Sequence, residues 1–270
     1  MDQDKALPDL DRVAESIRAP SLALAMTEAL RAVAELSLLP ASSLRLLKAP
    51  RGDGHPVLFL PGFLTSDLST TMMRSYLSAI GYNTYPWELG RNLGIRTTGL
   101  EWGRVRQRVE ALALEAGTQV SLVGWSLGGI MARRVARHIP QHVRQVITLG
   151  SPFTGNPMAT NATHLYQTIT GDYLNRPDAK ARYADETKPV PVPSTAIYSR
   201  QDGVTAWQNC IDAREDGQTE NVELYSSHMG LPFNPAVWFV IADRLAQPKG
   251  QWKPFDRSGR RRLYYPTQTD

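Results

Sequence analysis

The chain predicts an α/β fold, a mostly parallel sheet of about six strands with helices on both faces. Continuously apolar runs, as strands buried on both faces require, alternate with helical stretches along most of its length. The 42% hydrophobic content supports a sizeable core, and 21% charged residues set the chain apart from disordered and lipid-embedded classes. No Gly/Ser linker, low-complexity block or internal repeat divides the 270 residues, so one domain spanning 1–270 is expected.

Residues 1–16 are acidic and polar where an export signal needs a basic end and an apolar run, so a cytoplasmic location is expected. Residues 21–40 are apolar-rich, but Glu28, Arg31 and Glu35 break the run and make it a poor membrane span. The expected form is an amphipathic helix packed on the domain, within a helical N-terminal extension over residues 1–50. Weak contact with a membrane surface is its second use.

The first strand is PVLFL at 56–60, stopped by Pro61 and Gly62. A helix over 66–80 follows, with Asp67 near its start and Gly81 past its end, then a weaker strand, NTYPW, at 83–87. Val105, Val109, Leu112 and Leu114 give a helix over 101–116 its apolar face, and Gly117 stops it. VSLVG at 120–124, a helix over 127–138 and VRQVITLG at 143–150 complete the central run. Later strands are expected at 194–199 and 222–225, with a final helix at 234–246.

Between them, 151–193 has no strand pattern, carrying a helix around 163–174 and the proline-rich KPVPVP. It reads as an insertion over one sheet edge, lid-like over 153–193, whose Met158, Leu165, Tyr166, Ile169, Tyr173 and Leu174 offer an apolar underside. The basic tail, 249–270, holds six basic and two acidic residues and so accounts for the whole net charge of +4. Its tyrosines, Tyr264 and Tyr265, are expected to lie against the domain, and no nucleic-acid partner is expected. The single cysteine, Cys210, permits no intramolecular disulfide and makes no zinc site by itself.

Residues 120–129 read VSLVGWSLGG, a strand ending at Ser126 among Gly124, Gly128 and Gly129. In a parallel α/β sheet, chemistry gathers at the carboxyl edge, where a strand gives way to a helix. A sharp strand-to-helix turn pushes a side chain clear of the backbone, and glycines two before and two after remove the β-carbons that would collide. The following helix aims its first amides at the same place.

A serine hydroxyl needs a base, and of five histidines His228 alone follows a strand at the carboxyl edge, in YSSHMGL. His55 precedes the first strand, His138 and His142 lie at the far end of the helix after Ser126, and His164 is in the insertion. Asp202, after the strand STAIYS, is the expected orienting acid, with Gly203 allowing a tight turn; Asp212, Glu215 and Asp216 compete from downstream. The chain order Ser126, Asp202, His228 is that of the nucleophile-elbow architecture. Oxyanion donors are expected from the amides of Leu127 and Phe63, with Leu64 as the fallback.

The segments VLFLPGF, VSLVGWSLGG, LGSPF, AIYSRQDGV and SSHMGL, in that order across residues 56–247, resemble the α/β-hydrolase superfamily, and within it the lipase and esterase-like branch. The resemblance implies hydrolysis of small-molecule or lipid-like carboxylic esters through an acyl-enzyme, with no cofactor and no metal. The same triad can pass an acyl group to another acceptor or perform perhydrolysis, and a non-catalytic binding protein can keep the fold. The chain departs from the pattern in carrying Pro61-Gly62 where many lipases have His-Gly, in having Trp125 inside the elbow, and in lacking two opening antiparallel strands. A shortened sheet accounts for the last. Trp125, Trp207 and Met229 are the expected pocket-lining residues, and the apolar underside of the insertion favours medium or long acyl chains.

Overall fold

Six strands run parallel in one sheet in the computed structural model, which describes residues 16–173, 183, 185–213 and 217–266. They are β1 (Pro56–Leu60), β2 (Asn83–Tyr85), β3 (Val120–Trp125), β4 (Val143–Leu149), β5 (Ser194–Tyr198) and β6 (Thr219–Glu223), in the spatial order β2-β1-β3-β4-β5-β6. Among the described residues, the helices of eight residues or more are α1 (Leu22–Ser37), α2 (Leu39–Leu46), α3 (Thr71–Ala79), α4 (Gly103–Ala116), α5 (Leu127–His138), α6 (Thr163–Thr170) and α7 (Pro235–Leu245).

Strand β1 shows why its run is apolar throughout. Val57 and Phe59 pack on one side with Met73, Leu77 and Val237, while Leu58 and Leu60 pack on the other with Val105, Val109 and Met131. Both faces of the sheet are therefore covered, α2, α3 and α7 on one side and α4 and α5 on the other. Val190 and Val192 from the KPVPVP stretch are buried in the second of these cores.

Several boundaries differ from the sequence pattern for definable reasons. Strand β2 stops at Tyr85 because Pro86 offers no amide. Beyond it, the amides of Trp87 and Glu88 donate to the Asp67 carboxylate, at 2.9 and 3.2 Å, so Asp67 ties down this segment. Helix α4 buries Ala113 beside Leu112 and leaves Leu114 exposed, because a residue two positions on from Leu112 faces away. Strand β6 lies earlier than the apolar letters of 222–225 suggest. Its sequence TENVE is buried throughout, with Glu220 paired to Arg244 at 2.7 Å and Glu223 accepting from the Tyr198 hydroxyl at 3.1 Å.

In the insertion, α6 ends at Gly171, and Leu174 lies outside the described residues. Tyr166 faces the cavity described below, whereas Met158, Leu165 and Tyr173 are exposed. In the tail, Tyr265 is fully buried against Phe255 and donates its hydroxyl to Ala236 O at 3.0 Å, while Tyr264 stays half-exposed under Arg45. No helix among the described residues is long and apolar enough to cross a membrane.

Candidate active site

Where β3 meets α5, Ser126 adopts φ 53° and ψ −121°. A residue with a β-carbon rarely holds this conformation, which costs of order 1–3 kcal/mol unless the surroundings fix it. They do so here. The Ser126 amide donates to Leu149 O at 2.8 Å, pinning the turn to the end of β4. A β-carbon at Gly124 would overlap the Gly128 carbonyl, and one at Gly128 would overlap the Leu60 carbonyl. The helix thus leaves the sheet along a path that only glycine permits, and Ser126 remains partly exposed at its tip.

The loops after β5 and β6 bring Asp202 and His228 together, Oδ2 and Nδ1 being 2.5 Å apart and both side chains buried. The other carboxylate oxygen of Asp202 accepts from the amides of Val204 and Thr205 at 2.8 and 2.7 Å, and the Thr205 hydroxyl donates to Oδ2 at 3.2 Å. Burial opposes a charged imidazole, but the charge and hydrogen bond of Asp202, and then Glu28, outweigh it and raise the His228 pKa. His228 is held beside the elbow by its own carbonyl, which accepts from the Trp125 indole at 3.1 Å. Gly150, next to the Leu149 that receives the Ser126 amide, abuts the pair so closely that a β-carbon would lie 3.1 Å from Asp202 Oδ2 and 3.2 Å from His228 Nδ1. Among the described residues the Ser126 hydroxyl has no hydrogen-bond partner.

The rival residues lie elsewhere. His138 and His164 are exposed and His142 sits beyond the C-terminal end of α5. Asp212 is paired with buried Arg133 at 2.8 Å, and Glu215 and Asp216 lie outside the described residues. His55 belongs to a second Asp–His–Ser chain that sequence reasoning missed: its Nδ1 meets Asp53, and its Nε2 lies 2.8 Å from Ser121 Oγ. Ser121 is fully buried within β3, so this chain has no access for a substrate.

The amides of Phe63 and Leu127 have no acceptor among the described residues. The fallback donor, Leu64, is committed, its amide donating to Asn92 O at 2.8 Å. Asn92, fully buried, staples the whole loop: its Nδ2 donates to Pro61 O at 2.7 Å, its amide to Thr65 O at 2.8 Å, and its Oδ1 accepts from Gly94 N at 3.0 Å. A lone asparagine in a loop gives no sequence signal of such a role. Trp125 sits beneath this loop, where a β-carbon on Gly62 would come within 2.9 Å of its ring.

A cavity of about 120 Å³ opens at Ser126, lined by Phe63, Trp102, Leu127, Ile130 and, from the insertion, Tyr166. Phe63 and Tyr166 are in ring contact, centroids 5.2 Å apart. Trp125, Trp207 and Met229 do not line it. Trp125 is packed under Gly62, Trp207 stacks on Tyr198 beneath Arg200, and Met229 is exposed. Among the described residues no cluster of His, Cys, Asp and Glu is placed to hold a metal ion.

Residues 107–205, from α4 through Asp202, match the PGAP1-like alpha/beta domain. Over 74 residues the chain is 35% identical to a triacylglycerol lipase of Pseudarthrobacter phenanthrenivorans and equally to one of Burkholderia plantarii. These matches cover 24% of this chain and 23% and 21% of the relatives, so the chain spans less than a quarter of their length. In three dimensions it is similar to Aspergillus fumigatus lipase B, with a TM-score of 0.57 at 18% identity over 73% of this chain and 54% of that one. It is also similar to a monoacylglycerol lipase of Paleococcus ferrophilus, with a TM-score of 0.50 at 15% identity over 72% and 96%. With its parallel six-stranded sheet, the chain shares the α/β-hydrolase fold of these lipases.

Proposed function

We propose that the chain is a serine carboxylester hydrolase using Ser126 as nucleophile, His228 as general base and Asp202 as the orienting acid. The observation that carries this is the strained Ser126, opening onto a largely apolar cavity beside a buried Asp202–His228 pair. The imidazole takes the Ser126 proton as Oγ attacks the ester carbonyl, and the free amides of Phe63 and Leu127 receive the oxyanion. The tetrahedral species collapses, the alcohol leaves with the proton from His228, and the acyl group stays on Oγ. Water, deprotonated by the same imidazole, then releases the acid and restores the serine. Catalytic hydrogen bonds often close only once substrate is bound, which fits an unpartnered Ser126 hydroxyl.

The substrate class that suits the cavity is an ester with an apolar acyl chain, which Phe63, Leu127, Ile130 and Tyr166 would cover. The lipase relatives point the same way. The test is hydrolysis of p-nitrophenyl esters of increasing chain length by the wild type and three variants. Ser126→Ala and His228→Ala are each expected to lower kcat by roughly 10⁴- to 10⁶-fold, and Asp202→Asn by about 10⁴-fold. Wild-type turnover by Ser126→Ala would refute the assignment.

A further inference from the structure

Helix α1 is amphipathic with its polarity reversed. Leu22, Met26, Leu30 and Val33 are exposed, whereas the Glu28 side chain is buried. A carboxylate removed from water costs several kcal/mol unless donors surround it, so the partners of Glu28 explain its position. One of its oxygens accepts from Gly203 N at 2.7 Å and from Arg31 Nη2 at 2.8 Å, and the other accepts from Met229 N at 2.8 Å. Gly203 and Met229 are the residues immediately after Asp202 and His228.

The same helix also holds the residues immediately before them. Arg31 Nη1 donates to Gln201 O at 2.7 Å. Glu35, two turns on, accepts from Ser227 N at 2.6 Å and from the Ser227 hydroxyl at 2.7 Å. The contact is close enough to dictate sequence: a β-carbon on Gly203 would lie 2.5 Å from the Leu24 carbonyl carbon. The backbone of Gly203 is not in the left-handed region, so the approach of α1, rather than the turn expected from the sequence, requires glycine there.

We infer that Glu28 is a positioning residue of the site, its one carboxylate joining the Asp202 and His228 loops while placing a fixed negative charge beside the imidazole. The inference rests on the proposed roles of those two residues. Its charge helps to hold the His228 pKa up, alongside Asp202. Arg31 is paired with Glu28, and Glu35 reaches the neighbouring Ser227. Among the described residues, Arg200 in the loop after β5 is paired instead with Glu223.

The test is the rate of Ser126 labelling by a fluorophosphonate as a function of pH, with thermal unfolding run in parallel. Glu28→Gln is expected to lower the plateau rate about tenfold and to move the acid limb down by roughly half a unit to one unit. Glu28→Asp is expected to lose rate while keeping the limb in place. Arg31→Gln, which frees the Glu28 charge, is expected to move the limb up, and it carries the test by itself if Glu28→Gln does not fold. A wild-type rate and limb in Glu28→Gln would overturn the inference, as would shifts of the same sign in Glu28→Gln and Arg31→Gln, since mere loosening of α1 has no sign dependence. An unlabelled wild type would instead overturn the proposed chemistry of Ser126.

Discussion

The indole of Trp125 donates to the backbone carbonyl of His228 at 3.1 Å, so the residue preceding the strained serine carries the loop of the proposed base. Trp125 also fills the space beneath Gly62, in the loop that presents the Phe63 amide. One buried side chain therefore sets the spacing between both halves of the site.

Trp125→Phe keeps most of the ring and removes the N–H. The His228 carbonyl loses its partner, at a cost of about 1 kcal/mol in stability. The expected result is a fall of roughly three- to tenfold in kcat with KM nearly unchanged, because the acyl cavity does not include Trp125. Steady-state kinetics on a p-nitrophenyl ester, with a thermal melt, would separate the two effects, and a change confined to KM would contradict them.

Asn92 makes a comparable case for the other half. Removing its amide in Asn92→Ala leaves Pro61 O and Gly94 N without their partners and frees the loop that carries Phe63. Two buried groups without partners are expected to cost about 2–4 kcal/mol, and a displaced oxyanion donor about 10²-fold in kcat. Retention of wild-type kcat together with lowered stability would assign Asn92 to the fold alone.

The fold and the candidate triad were legible in the sequence because both rest on local patterns. PVLFL and VSLVGW are apolar throughout because both faces are covered, and the glycines around Ser126 mark the crossing of β3 and α5. Strand β6 was misplaced because its buried glutamates are neutralised by Arg244, Arg200 and Tyr198, partners remote in the chain. For the same reason Glu28 and Arg31 read only as interruptions of an apolar helix. Their spacing put them with Glu35 along one helix face, but nothing local says what that face meets. Trp207 and Met229 lie away from the cavity lining because nearness to Asp202 and His228 in sequence does not determine which side of those residues faces it.

The pH dependence follows from the direction of the His228 shift. As the proposed base His228 must be neutral to act, and its pKa is raised, the acid limb of kcat/KM is expected above the usual histidine value of about 6.5. Stability runs the other way. The stabilisation from protonated His228 is complete below its unfolded pKa and is lost as pH rises through the folded one. His228→Asn is expected to remove that pH-dependent part, while Ser126→Ala leaves it intact. Thermal unfolding of the three proteins between about pH 5 and 9 checks the sign.

The buried Asp53–His55–Ser121 chain provides the sharpest contrast, since it has the residue types of a triad without access to a substrate. Burial, first among its causes, holds the His55 pKa below the usual value despite the neighbouring Asp53. A neutral His55 in the native state makes stability fall as pH drops below the unfolded histidine value, opposite in sign to His228. Ser121→Ala leaves His55 Nε2 without its partner, at an expected cost of about 1–3 kcal/mol. The same variant is expected to label at Ser126 with fluorophosphonate at the wild-type rate, whereas Ser126→Ala unfolds normally and takes no label. Two serines five residues apart on one strand and turn would then be separated by accessibility alone, the buried one supporting the sheet and the strained one facing the cavity. Labelling lost in Ser121→Ala without loss of fold would reverse that assignment.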